Sequence, residues 1–426
     1  MGQLIIGTWK FSGVEKEFEG ELRINENICE LRVVCDTNPE MPFHNSVVYS
    51  IKTNMGEYTM YECEISYIDH WKHSESNKDG IRQYVFIVTC QYLIIGASIA
   101  LEEDLRLSSL KFKTSQLFNW FDKEKVRLEA DTLEYKVKIS ADFVELYYNV
   151  DTIFKESINE LYKLNALIIF LTFSRTYITK INGVLSGGKN IEIIQQINTP
   201  RIKNKKLSNL YIVSPEILKK NFNSTINLWT EKVEKLEPII DLYLSFINIS
   251  NTLSAGFLTI IQALEAFHRL TRDNKILPAN EFKKKREKIV QSVPSEYKEE
   301  VAFMLNYSNE PNLNRRLEEL FEVPNSPYLF DSLELEKSRE QLIKDIKNTR
   351  NYYTHFSQNL KKKVLKGEDL FLVTGLLVAM LNYYLLEELA VDEEFNQSLV
   401  RRRIQGFNIR NSYNKFYENN DSSYFR

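Results

Sequence analysis

A chain of 426 residues exceeds one ordinary hydrophobic core and is expected to divide into two domains. Hydrophobic residues at 43%, charged residues at 27% and only 14 Gly and 10 Pro exclude a disordered, collagen-like or linker-rich chain. The formal net charge of -3 gives no whole-protein attraction to nucleic acid, so any RNA site must be a local basic patch.

The four cysteines, Cys29, Cys35, Cys63 and Cys90, all fall in the first quarter of the chain. None forms a CxxC pair and no histidine sits at finger spacing, so neither a zinc site nor any other cofactor is expected. The opening Met-Gly-Gln-Leu-Ile-Ile-Gly-Thr has no charged signal region. Reduced thiols in a cytoplasmic protein are the expected state.

Along the chain, strand signals come first. Residues 20–34, 58–68 and 83–97 are rich in Val, Ile, Tyr and Phe with apolar residues often alternating, and 137–147 repeats the style. Turn residues punctuate these runs at Asn25-Glu26-Asn27, Asn38-Pro39 and Asn77-Lys78-Asp79-Gly80. The spacing predicts an antiparallel sandwich or open barrel. His70 and His73, around Trp71, read as part of a polar loop without a catalytic partner. A helix is predicted over 155–176, where Ile158, Leu161, Leu164, Ile168 and Leu171 recur at three- and four-residue steps. Strands return at 177–181, 190–197 and 210–213.

Within that return, Gly183-Val-Leu-Ser-Gly-Gly188-Lys189-Asn190 fits seven positions of the phosphate loop GxxxxGK[ST]. Asn190 stands where a hydroxyl would ligate magnesium, and the following Ile191-Glu-Ile-Ile is strand-like where the loop needs a helix. A glycine-rich hairpin is predicted there, not a nucleotide site.

Ser214-Pro215 suits the start of a helix, and from there to about Leu389 nearly everything has helical period. The predicted boundary therefore falls near 214, with a β-rich domain over 1–213 and a helical domain over 214–426: an α+β chain. Residues 217–247 read as one long or broken helix, with Pro238 marking the break. Leu253, Phe257, Ile260, Ile261, Leu264 and Phe267 trace one face of the next. The stretch 370–386 falls just short of the roughly 20 apolar residues of a membrane span. Thr374, Gly375 and Asn382 interrupt it, and its flanks Glu368-Asp369 and Glu387-Glu388 are acidic where an anchor would have basic ones. A buried central helix or an oligomer interface is predicted, with no membrane contact.

The stretch that carries chemistry is Lys344-Asp-Ile-Lys-Asn-Thr-Arg350-Asn-Tyr-Tyr-Thr-His355-Phe356. Leu342, Ile346, Thr349, Tyr353 and Phe356 are expected to form a buried stripe, with Asn351 and His355 four apart on another face. Arginine, amide and imidazole within a turn and a half suit RNA cleavage without a metal. Histidine can move a proton near neutral pH, and the substrate's own 2′-hydroxyl is the nucleophile. Arginine presents a planar fork to the charge that builds on phosphorus. The products would be a 2′,3′-cyclic phosphate and a 5′-hydroxyl. Five residues on a straight helix turn through about 500°, leaving Arg350 and His355 roughly 140° apart. They converge on one phosphate if the helix ends there or if a second copy completes the site across a twofold axis.

Arg350-Asn351-x-x-x-His355 resembles the Rx4–6H motif of HEPN-domain ribonucleases, and the run from Phe257 to His268 resembles the first core helix of that family. A β-rich first half joined to such a domain resembles the ApeA anti-phage proteins more narrowly. Gly7-Thr-Trp, Gly20-Glu-Leu and Ser115-Gln-Leu-Phe-Asn-Trp120 carry that part of the likeness. The resemblance implies an endoribonuclease of abortive infection, with Arg350, Asn351 and His355 catalytic. It implies tRNA or mRNA as substrate, a homodimer or higher homo-oligomer, a sensing first half and a phage-encoded trigger. Glu265, in an otherwise apolar helix, either orients Arg350 or faces solvent. Lys361, Lys362 and Lys363 either guide a phosphate backbone or form a solvated helix end; similar basic runs at 283–286 and 401–403 show how unspecific such a run is. The alternative function is a non-catalytic HEPN module that dimerises or binds RNA while the first half does the recognition.

Overall fold

The computed structural model describes residues 3–25, 28–35, 44–74, 77–121, 126–196, 213–248, 252–322 and 337–391. Two compact units result, one of residues 1–172 with 176–223 and the other of residues 173–175 with 224–426. The turn at Asn38-Pro39, most of the strand expected over 210–213, residues 26–27 of the first turn and the basic run 401–403 lie outside the described residues.

In the first unit six antiparallel strands close on themselves. They are β1 (Gln3–Phe11), β2 (Glu17–Ile24), β3 (Cys29–Cys35), β4 (His44–Thr53), β5 (Tyr58–Ser74) and β6 (Asn77–Ile95). They follow the order β3-β2-β1-β4-β5-β6, and β6 returns to β3 with Glu30 opposite Thr89 and Cys35 opposite Tyr84. Where a sandwich or an open barrel was expected, the six strands close into a barrel, which leaves this ring without a free edge among the described residues. Alternation builds its core: in β2, Phe18, Leu22 and Ile24 are buried while Glu17, Glu19 and Arg23 are exposed. Trp9, Phe11, Leu31, Val48, Met60 and Val88 fill the same interior. The four cysteines are buried free thiols. Gly7 lies opposite both Gly20 and Thr53, and the Trp9 indole N–H donates to the Gly20 carbonyl at 3.3 Å.

β5 and β6 run further than composition suggested, pairing out to Ser74 opposite Asn77. His70 and His73 therefore lie on a strand, not in a polar loop, and Asn77–Gly80 belongs to β6. A continuous ladder of main-chain bonds overrides the weak strand propensity of those polar residues. At its other end β6 leaves the barrel: Tyr92 to Ile95 pair with β12. The sheet continues from there, antiparallel, in the order β12-β11-β7-β10-β9-β8. Its strands are β7 (Arg106–Thr114), β8 (Leu128–Asp131), β9 (Tyr135–Ile139), β10 (Val144–Ile153), β11 (Ile178–Leu185) and β12 (Asn190–Gln195). The short helix α1 (Leu117–Trp120) buries Trp120, whose Nε1 donates to the Val213 carbonyl at 2.8 Å.

Helix α2 (Phe154–Thr172) packs on β7 and β10 through Ile158, Leu161, Leu164, Ile168 and Leu171. It stops short of 176 because Phe173 takes a positive φ of 48° before the chain turns into β11. The glycine-rich stretch 183–190 is the β11–β12 hairpin, with Gly188 at φ 79°. That is a conformation only glycine adopts readily, and Asn190 opens a strand as predicted.

Helix α3 (Pro215–Asn248) continues unbroken through Pro238, so the expected break is absent. The proline removes one backbone donor, and the intact turns on either side carry the helix across. The second unit holds α4 (Leu253–Thr271), α5 (Ala279–Gln291), α6 (Lys298–Met304), α7 (Leu313–Leu320), α8 (Arg339–His355) and α9 (Gly367–Glu388). α9 is long and apolar enough to cross a membrane, yet every residue from Leu370 to Leu386 is buried. It is the central helix of the unit. It packs on α4, where Phe267 stacks on Tyr384 at 5.1 Å, and the Tyr384 hydroxyl donates to the Leu320 carbonyl at 2.6 Å.

Two stability predictions follow from these contacts. A Cβ at position 7 would collide with the Lys52 carbonyl, so Gly7→Ala should lower the stability of the first unit by about 1–3 kcal/mol in urea unfolding. Asn382 is fully buried, and neither end of its carboxamide has a hydrogen-bond partner among the described residues. Asn382→Leu removes two unpaired groups at similar volume and should raise stability by about 1–3 kcal/mol. A less stable Asn382→Leu protein would show that the carboxamide has a partner in solution.

Candidate active site at the end of a helix

α8 is set by its cap and its buried side. Ser338 accepts from the Gln341 N–H at 3.3 Å, and Leu342, Ile343, Ile346, Asn348 and Thr349 face the interior. Thr349 works in two directions: its hydroxyl donates to the Asp345 carbonyl at 2.6 Å and accepts from the Leu365 N–H at 2.9 Å. That second bond ties the returning segment to the helix. The expected stripe holds at Leu342, Ile346 and Thr349, weakens at the half-buried Tyr353, and fails at Phe356, which is 65% exposed. The reason is backbone geometry. The helix ends at His355, and Phe356 takes a left-handed conformation (φ 51°, ψ 33°) that turns its ring outward.

Arg350 is half-buried and pinned. Its Nε lies 3.3 Å from Glu265 Oε1 on α4, and its Nη1 donates to Asn351 Oδ1 at 3.3 Å. Glu265 forms an ion pair with Arg350 while its carboxylate stays partly exposed. Asn351 is thus paired with Arg350. His355 is exposed at the last helical position and has no hydrogen-bond or ion-pair partner among the described residues. Lys361, Lys362 and Lys363 are exposed in the turn beyond a 3-10 segment at Gln358–Leu360.

The sequence did not reveal a second polar cluster, built on the same helix as Glu265. His268 is fully buried, and its Nε2 lies 2.7 Å from Glu319 Oε2. Arg316 on α7 is 4% exposed and donates Nη1 to His268 Nδ1 at 3.0 Å and Nη2 to Asn274 Oδ1 at 2.6 Å. Glu310 lies 3.6 Å from Arg316 and 3.2 Å from Arg269. The donors decide the tautomer. Arginine has no acceptor, so Nδ1 of His268 must accept and Nε2 must carry the proton to Glu319. His268 is therefore neutral, and burial, the largest influence on it, lowers its pKa. Burial also lowers Arg316, while Glu265 is among the carboxylates that raise it. Glu265 is thus felt by both arginines. The one hint in the sequence was the spacing of Glu265 and His268, one helical turn apart in an apolar run.

Two family models match the chain. Apea-like HEPN covers residues 258–395, and ApeA N-terminal domain 1 covers residues 4–151. The chain is an ApeA-like protein with a C-terminal HEPN domain. It belongs with the HEPN proteins of anti-phage defence. No curated protein and no solved structure matches it. The HEPN match spans α4 nearly whole and everything through α9, so it contains Glu265, His268, Arg316, Glu319, Arg350, Asn351, His355 and the three lysines.

The buried cluster predicts acid sensitivity for the HEPN domain. As pH falls through about 6.5 the unfolded chain protonates its histidine, while folded His268, with its lowered pKa, does not. The unfolded state then binds more protons, so stability falls with pH below about 6.5 until folded His268 itself titrates. Burial pushes the Glu319 carboxyl up, but hydrogen bonds from His268 and Arg315 bring it below its ordinary value. Its contribution is present above that ordinary value and lost as pH falls through the lowered one, which adds to the acid loss. Thermal unfolding should show a melting temperature that drops from pH 7 toward pH 5.5. His268→Gln, able to accept from Arg316 and donate to Glu319, should flatten that slope. An equally steep slope in this variant would remove His268 as its source.

Proposed function

We propose that the HEPN domain is a metal-independent endoribonuclease that cuts tRNA or mRNA in abortive infection. The observation that carries this reading is a functional asymmetry at the end of α8: Arg350 held by Glu265 and Asn351, His355 exposed and unpartnered. In this mechanism His355 takes the proton of the 2′-hydroxyl, and the 2′-oxygen attacks phosphorus. The 5′-oxygen leaves with its bonding pair and takes a proton from water, while His355 returns its proton to solvent, giving a 2′,3′-cyclic phosphate and a 5′-hydroxyl. Arg350 binds the non-bridging oxygens, where negative charge builds in the transition state. Glu265 positions the guanidinium, Asn351 steadies it, and Lys361 to Lys363 attract the phosphate backbone.

The angular separation of Arg350 and His355 favours a composite cleft in a homodimer, with two copies of α8 facing each other. The left-handed Phe356 ends the helix at His355, at a backbone cost of about 1–2 kcal/mol, and is the feature that would instead let one chain complete the site. The barrel half is the sensing part that a phage-encoded trigger would relieve.

His355→Ala should lower cleavage of total RNA by about 10²–10⁴-fold, and Arg350→Ala by about 10²–10³-fold, with folding intact. EDTA should leave the rate unchanged. A His355→Ala protein that cuts at the parent rate sinks the assignment, and activity lost to EDTA and restored by magnesium replaces it with a metal mechanism. A protein that binds RNA without cutting it is the non-catalytic module. Mixing Arg350→Ala with His355→Ala chains should restore part of the activity if the cleft is shared between copies; no recovery would place a complete site in each chain.

A further inference from the structure

Between α4 and α7 the chain makes an excursion without a core of its own. From 278 to 308 neither α5, the 3-10 turn at Ser295–Tyr297, α6 nor their connections contribute a buried residue. The excursion is nonetheless well built. Asn309 closes its base: its Oδ1 accepts from the Leu277 N–H and its Nδ2 donates to the Leu277 carbonyl, both at 2.9 Å. Arg286 joins the two helices, donating Nη2 to the Ala302 carbonyl at 2.8 Å and to Asn306 Oδ1 at 2.9 Å. On this ordered arm Phe303, Met304 and Tyr307 stand 73%, 65% and 75% exposed. Phe303 and Met304 end α6, and Tyr307 lies in the turn just beyond it. Single exposed apolar residues are ordinary, but three large ones together on an ordered element mark an interface.

Charge identifies the occupant. α5 carries five cations against Glu281 and Glu287, a net +3. The neighbouring 295–304 carries Glu296, Glu299 and Glu300 against Lys298, a net -2. Opposite charges side by side around an apolar centre make a self-complementary surface, which is what a twofold contact between identical chains requires. A nucleic acid stacking on Phe303 and Tyr307 would meet three carboxylates there and be repelled.

We propose that this arm docks on the same arm of a second copy of the chain, the acidic α6 of each lying over the basic α5 of the other around Phe303, Met304 and Tyr307. The contact uses neither Arg350 nor His355, so it stands apart from the ribonuclease reading and from the dimer proposed for the cleft. Its test is analytical ultracentrifugation of the full chain, with circular dichroism as the check on folding. Phe303→Asp combined with Tyr307→Asp should weaken one association step by at least about tenfold. So should Lys284→Glu with Lys285→Glu and Lys288→Glu, and so should Glu296→Lys with Glu299→Lys and Glu300→Lys. Combining both reversals in one chain restores complementarity and should recover the association. A parent that stays monomeric, an Asp variant that associates like the parent, or a combined variant as weak as either reversal overturns the proposal. Loss of oligouridine binding in the lysine variant with self-association intact also overturns it and assigns the arm to RNA.

Discussion

An arginine that leaves water must take an acceptor with it, because its guanidinium stays charged and has no acceptor of its own. Two arginines of the HEPN domain do so, and one helix serves both. From α4, Glu265 meets Arg350 and His268 meets Arg316, one turn apart. The apolar side of α4, with Phe257, Ile260, Leu264 and Phe267 buried, fixes the rotation of the helix against its neighbours. Packing therefore decides where both acceptors point. Rotating α4 away would break the Glu265 ion pair of Arg350 and the His268 hydrogen bond of Arg316. A hydrogen bond to a charged group contributes about 1.5–3 kcal/mol, a sizeable share of the 5–15 kcal/mol typical of whole domains.

Much of this was legible in the sequence because it rests on periodicity. Alternation marked the strands of the barrel, and an apolar run with acidic flanks marked α9 as a buried helix. Gly188 and Asn190 marked a hairpin where the motif resembled a phosphate loop. What escaped depends on pairing across distance. Arg316 and Glu319 lie 48 and 51 residues from His268, and a buried arginine is written with the same letter as a surface one. The length of the β5–β6 ladder escaped for a related reason: main-chain pairing carried polar residues around Trp71 into a strand that their side chains did not announce. Pro238 and Phe356 are local exceptions in opposite senses. One helix ran through its breaker, and another ended on a bulky residue in a conformation usually left to glycine.

The two ends of the chain solve the problem of exposed surface differently. The barrel closes its edge through β3 and β6 and then spends the far end of β6 on continuing the sheet, which α2 covers there. The HEPN domain instead keeps α9 dry on all sides and sends α5 and α6 out without a core. Burial is thus complete at the centre of the domain and absent at its arm, and the hydrogen bonds of Asn309 stand where the two regimes meet.

The ion pair of Arg350 with Glu265 is compatible with the phosphate contact proposed for this arginine. The guanidinium has five N–H donors. Glu265 faces Nε, and Asn351 takes one donor of Nη1. Among the described residues three donors remain, spread over the two terminal nitrogens, and a phosphate needs two of them for a bidentate contact. The carboxylate can therefore stay in place while the phosphate binds, holding the plane of the fork and reducing the rotamer entropy that binding would otherwise cost. A lysine has three donors on a single nitrogen and no plane to hold. It could not face Glu265 on one side and present a flat edge to phosphorus on the other, so the division of labour at this position depends on the shape of arginine as much as on its charge.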